Sequence, residues 1–146
     1  MNAPTAPEYS CNVTLMFLDD DLDPTEVSVK LGLRPSQAWR NGEKRYIGSV
    51  EHTHQWGAWK RFSPPSQEAK SLPQKLRYWF RLLRGRKTVL RKLNTKFSVC
   101  ALNCQVFSTR TASIIIPQDL QAQVSSLGLE LRLSFIVHAE PPANDG

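Results

Sequence analysis

Residues 19–43, DDDLDPTEVSVKLGLRPSQAWRNGE, specify one short helix together with both of its ends. Asp23 is placed to cap the start, and Pro24 suits the first helical position. Glu26, three residues after Asp23, completes a capping box. Val27 and Leu31 fall on one helical face, and Gly32 supplies a left-handed stop. Pro35 and Asn41-Gly42 then mark residues 34–42 as loop. The stretch constrains the kind of domain and names no reaction.

The rest of the chain supplies strands and two further helices. Residues 11–18 alternate in strand fashion, with Cys11, Val13, Leu15 and Phe17 on one face. Residues 45–50 and 55–62 read as two strands, a candidate hairpin. A long helix fits residues 67–93, interrupted near Pro73, where an interior proline removes a backbone donor. Residues 96–107 read as a strand and 117–127 as a helix. Residues 130–138 read as a last strand with Leu131, Leu133, Phe135 and Val137 inward. The expected fold is a single α+β domain with a largely antiparallel sheet and helices mainly on one face. Two helices close with the same tripeptide, Leu31-Gly32-Leu33 and Leu127-Gly128-Leu129. That echo has two readings: a common helix ending, or two β-α halves of a ferredoxin-like arrangement.

At 146 residues, 40% of them hydrophobic, the chain can fold as one domain without a metal or a disulfide. Residues 10–139 are assigned to that domain, with residues 1–9 and 140–146 as flexible ends. Three cysteines, an odd number, argue against a disulfide framework and for a reducing compartment. The first residues have neither the basic nor the apolar region of a secretory signal. No apolar run reaches the ~18 residues of a membrane span. The expected location is cytoplasmic, with no membrane contact.

Charge is segregated along the chain. Twelve of the 19 basic residues and one acid, Glu68, lie between Lys60 and Lys96. That segment carries +11 and the remainder −5, within a total of +6.

Candidate chemistry is mostly excluded. Asp19, Asp21 and Asp23 begin like a calcium loop, but Pro24 takes the glycine position and Lys30 the final glutamate position. His52 and His54 share one side of an extended segment without further zinc ligands nearby. Cys100 and Cys104, on one strand, stand about 13 Å apart and cannot share a metal. With Cys11 they read as small buried hydrophobes. Phosphate loops, dinucleotide fingerprints and the common hydrolase motifs are absent. No metal, cofactor or catalytic residue is assigned.

Turning residues 75–93 at about 100° per residue separates two arcs. Leu76, Trp79, Leu82, Leu83, Val89, Leu90 and Leu93 form the apolar one. Arg77, Arg81, Arg84, Arg91 and Lys92 lie opposite, with Lys87 at the boundary. Arg86 and Lys75 fall on the apolar side. Either the helix kinks at Gly85, or Arg86 snorkels as Lys75 can. The cationic arc fits a solvated face, nucleic-acid phosphates with Tyr78 or Phe80 stacking, or an acidic protein. Trp39 and Arg40, in the polar loop after the first helix, are the remaining contact candidates.

The pattern Asp20-Asp21-Leu22-Asp23-Pro24, Leu31-Gly32-Leu33, Pro35, Ala38-Trp39 and Gly42-Glu43 resembles the DUF4279 domain family. Gly57-Ala58-Trp59 is similar to that family's Trp-containing strand, and the later elements follow its order over residues 10–138. The resemblance implies a small bacterial α+β domain and carries over no activity and no catalytic residues. The preferred functional expectation is a non-enzymatic module of adaptor or toxin-immunity type, docking an acidic partner through the basic helix. The alternatives are nucleic-acid binding through the same face and a small hydrolase.

Overall fold

The computed structural model describes residues 9–137. β1 (Ser10–Asp19) leads through α1 (Pro24–Leu31) to β2 (Gln37–Trp39), β3 (Lys44–Ile47), β4 (Val50–Thr53) and β5 (Gly57–Phe62). α2 (Leu72–Leu83), α3 (Lys87–Lys96), β6 (Val99–Ser108), α4 (Gln118–Ser126) and β7 (Glu130–Val137) follow. Five strands form one sheet in the order β2-β5-β1-β6-β7, antiparallel except between β6 and β7. β3 and β4 make a separate hairpin. The fold is α+β with a mostly antiparallel sheet.

The alternation in β1 decides which side is covered. Phe17 pairs with Trp59 and Cys100, Leu15 with Leu102, and Val13 with Cys104. Directly paired residues share a face, so these side chains make one apolar surface. Against it pack Val27 and Leu31 of α1, Leu76 and Trp79 of α2, Leu90 and Leu93 of α3, and Leu120 of α4. Trp59 meets Phe17 edge-on at 5.6 Å and donates Nε1–H to Ser28 Oγ at 3.0 Å. Trp79 donates to Ser63 Oγ at 3.0 Å. Both fully buried tryptophans therefore bury their area without orphaning their one donor.

α1 starts and stops where expected. Asp23 accepts from Thr25 N–H, and Gly32 adopts φ 67°. The Glu26 half of the capping box does not form. Its carboxylate instead takes Lys30 at 2.7 Å and Lys96 at 2.5 Å. Two charge-assisted bonds outweigh one bond back to a neutral amide.

The long helix of residues 67–93 is also corrected. Pro65–Gln67 is a separate 3₁₀ turn, and α2 begins at Leu72 behind a Ser71–Gln74 capping box. Pro73 lies in the first turn, where a missing N–H costs nothing, so it starts the helix rather than interrupting it. Arg84–Arg86 forms a 3₁₀ turn that divides α2 from α3, and α3 continues to Lys96. The break turns Arg86 toward free carbonyls: Nε donates to Leu31 O and Nη1 to Leu82 O, each at 2.6 Å. Lys75 does not snorkel. It is 2% exposed and donates Nζ–H to the Cys11 carbonyl.

The candidate hairpin proves to be β3–β4, turning at Gly48-Ser49, while β5 inserts between β1 and β2. The loop of residues 34–42 contains β2. The units β1–α1–β2 and β6–α4–β7 share a left-handed glycine after the helix, Gly32 and Gly128. They differ in pairing: β5 separates the first pair of parallel strands, and the second pair are neighbours. In β7, Leu133, Phe135 and Val137 are exposed rather than inward. β7 is an edge strand, and of these four side chains only Leu131 packs against the core. Tyr9, assigned to a flexible end, packs on the core and accepts from Leu72 N–H through its hydroxyl. Residues 1–8 and 138–146 lie outside the described residues, and His138 with them.

Candidate functional site

The six cations expected on the helix face divide into two groups. Arg81, Arg84, Arg91 and Lys92 are exposed and have no carboxylate partner among the described residues. Arg77 is engaged, with Nη1 3.2 Å from Asp119 Oδ2. That bond holds the Asp119 carboxyl below the usual carboxylate range. Lys87 is half-buried, with Nζ 5.9 Å from the centre of the Phe80 ring. Tyr78 and Phe80 both pack against the core. All six residues belong to the segment from α2 through the Arg84–Arg86 turn to α3.

Trp39 belongs elsewhere. Register pairs Ala38 with Trp59 and Trp39 with Ala58. Trp59 faces the helices, so Trp39 faces away from them, across the sheet from the core. Arg40 is separate again. Its Nη2 lies 2.7 Å from Asp23 Oδ1, at the start of α1. The structure thus spreads the expected contact residues over two sides of the molecule.

Around Trp39 the open face of the sheet forms a cleft of about 470 Å³. Trp39, Ala58 and Leu18 follow one another across β2, β5 and β1. The small Ala58 between two larger side chains recesses the floor. Lys60, two residues further along β5, points to the same face. The β3–β4 hairpin and its exit supply Arg45, His54 and Trp56. Its base is tied down by Gly42 N–H to His54 O at 2.8 Å and His54 N–H to Glu43 O at 2.9 Å. Gly57 admits the chain into β5 beside Leu22. A Cβ at Gly57 would lie 2.7 Å from the Leu22 carbonyl oxygen.

Inside the cleft the His54 ring stacks on Trp39, with centroids 4.2 Å apart and planes at 17°. Lys60 Nζ lies 5.2 Å from the Trp39 centroid. Burial, and then the neighbouring Arg45 charge, push the Lys60 ammonium below its ordinary pKa. The Trp39 Nε1–H is buried without an acceptor among the described residues. Of these side chains Trp39 alone stands out in the sequence as a contact candidate, and nothing local connects it with Arg45, His54, Trp56 or Lys60. They meet through strand register, which no local motif encodes.

The other chemical candidates fall into structural roles. Asp19 accepts from Ser98 Oγ at 2.8 Å and Ser98 N–H at 3.2 Å, which lowers its pKa. Cys11, Cys100 and Cys104 are buried, free thiols. Burial pushes Cys100 and Cys104 up to about 12, and raises Cys11 against the opposing pull of Lys75. Thiols so placed stay protonated and unreactive near neutral pH. Among the described residues, no three His, Cys, Asp or Glu side chains gather as a metal site.

These features define a small α+β domain with one helical layer and one partly open sheet face. A family model described as a domain of unknown function, DUF4279, matches residues 8–138. The chain belongs to that family. No curated protein and no solved structure matches it. No helix among the described residues is long and apolar enough to cross a membrane.

Proposed function

We propose that this protein is a non-enzymatic binding module that docks an acidic protein partner through the outer face of α2 and α3, in the manner of an adaptor or a toxin-immunity protein. One observation carries the reading. Arg81, Arg84, Arg91 and Lys92 are exposed without carboxylate partners, in a protein that pairs Arg77, Lys30, Lys96 and Arg40. Unpaired cations carried by one helical layer would raise association rate and specificity toward an acidic surface. The same cations would suit nucleic-acid phosphates. Single-strand binding also uses aromatic platforms, and Tyr78 and Phe80 pack against the core. A hydrolase using His or Asp residues has less support, since Asp19, Asp23 and Asp119 are engaged by Ser98, by Thr25 with Arg40, and by Arg77, and His54 stacks on Trp39. Activity in the cytoplasm of a bacterium is part of the same proposal.

The test compares the native protein with Arg81→Glu/Arg84→Glu/Arg91→Glu. A pull-down from the native cell should return one stoichiometric acidic protein. The triple variant should lose it by about a hundredfold in affinity, and added salt should weaken the native complex. Tight binding of duplex or single-stranded nucleic acid at about 50 mM salt, with a steep salt slope, would favour the rival. Recovery of no partner would count against docking.

A further inference from the structure

The cleft on the open face has a composition of its own. Its lining includes two cations, Arg45 and Lys60, two tryptophans, Trp39 and Trp56, and His54 on a floor containing Leu18. No carboxylate is among the described lining residues. Glu51 of the hairpin pairs with Lys44 at 2.9 Å, and Glu43 at the hairpin base is not among the lining residues. Two like charges, Lys60 half-buried and Arg45 exposed, thus face one space without a counter-charge among its lining residues, which is unfavourable for Lys60 unless an anion joins them. Trp56 is 50% exposed, an unusual placement for so large an apolar ring. Its exposure beside the two cations leaves an aromatic surface available to a flat partner.

We infer that this cleft is a binding site for a small ligand that joins a flat aromatic body to an anionic group. The aromatic body rests against Trp56 and the rim of the Trp39–His54 stack. The anion lies between Lys60 and Arg45, where both cations donate to it. A volume of about 470 Å³ suits one or two fused rings with a carboxylate or phosphate. The inference is independent of the docking proposal, because the cleft and the helix cations lie on opposite sides of the sheet.

The experiment titrates the full chain with 2-naphthoate and adenosine monophosphate, beside their uncharged counterparts 2-naphthamide and adenosine. Calorimetry gives affinity, and tryptophan fluorescence reports Trp39 and Trp56 in the cleft against Trp59 and Trp79 in the core. At least one anionic probe should saturate, with its neutral counterpart about tenfold weaker or more. Naphthoate alone would identify a carboxylate ligand, adenosine monophosphate alone a phosphate, and both the shared chemistry; each supports the site. Lys60→Gln and Arg45→Gln should each cost about tenfold in affinity. Trp56→Ala should remove most of the fluorescence response, and Arg81→Glu/Arg84→Glu should leave binding unchanged. Circular dichroism checks that each variant is folded. Saturation by neither anion at millimolar concentration, equal affinity for a neutral counterpart, or affinity indifferent to Lys60 and Arg45 would each overturn the assignment.

Discussion

On the helix side of β1, Cys11, Val13, Leu15 and Phe17 disappear under the helical layer. On its other side Asn12, Thr14 and Leu18 keep some contact with solvent. Both surfaces come from the same ten-residue strand. The difference lies in what packs on each. The helix side is closed by apolar side chains, and its polar groups are displaced to the outer surface of α2 and α3. The open side keeps cations and aromatic rings within the sheet itself, under a small hairpin. A surface built on a helical layer can exchange charges at little cost in stability. A cleft built into the sheet is coupled to the register of three strands.

Trp59 and Trp56 give this comparison its largest test, since they lie three residues apart on opposite sides. Trp59 is 0% exposed and hydrogen-bonded to Ser28, whereas Trp56 is 50% exposed. Trp59→Ala should cost about 3–5 kcal/mol in urea unfolding. Trp56→Ala should stay within about 0.5 kcal/mol. Comparable losses would mean that the open face is packed as firmly as the core.

Arg86 and Arg84 make the same test within one turn of the helical layer. Arg86 bonds two backbone carbonyls, at the ends of α1 and α2, and Arg84 is exposed. Arg86→Ala should destabilise by about 1.5–3 kcal/mol, because bonds to a charged donor are lost and partly buried carbonyls are left bare. Arg84→Ala should change stability by less than about 0.5 kcal/mol, while weakening partner binding. A stability loss at Arg84 would remove the distinction between structural and free cations on which the docking proposal rests.

A smaller effect belongs to the start of α1, where Asp23 accepts from Thr25 N–H and pairs with Arg40. Asp23→Ala should cost about 1 kcal/mol by thermal melting, the usual value of a helix cap. Arg40→Ala, which leaves the cap intact, should cost less than half of that.

How much of this was legible depended on the range of the interaction. Asp23, Gly32 and the β1 alternation were readable because their partners lie within a few residues or follow a fixed period. The Ser71–Gln74 capping box was equally local. It marks the start of α2, yet the proline beside it drew attention to an interruption instead. Arg86 announced itself by breaking the apolar arc: the helix breaks at Gly85, the first of the two offered outcomes, and the side chain does not snorkel but turns inward to carbonyls 4 and 55 residues away. The cleft was not readable. Trp39 and Lys60 meet only because β2 lies against β5, and His54 joins them across a hairpin whose turn was misplaced. β7 misled in the other direction, since period-2 alternation says which side chains share a face but not whether anything covers it.

The finest test concerns Glu26, which joins the helices of the closed side to one another. Its carboxylate accepts from Lys30 within α1 and from Lys96 at the end of α3, and these bonds lower its pKa from 4.5 to about 2. A depressed folded-state pKa means that the ionised form is the stabilising one. The contribution is therefore complete above about pH 4.5 and is lost as pH falls through about 2. Surface exposure and salt hold it under about 1 kcal/mol. Urea midpoints of the native protein should fall across that window, and part of the fall should vanish in Glu26→Gln. Asp19 and Asp119, whose pKa values are also lowered, account for what remains. Raising the salt concentration should shrink the difference between the two proteins, because both lysines reach Glu26 through solvent-accessible side chains. An identical acid slope in Glu26→Gln would show that the contact between α1 and α3 is apolar alone, held by the buried side chains beneath it.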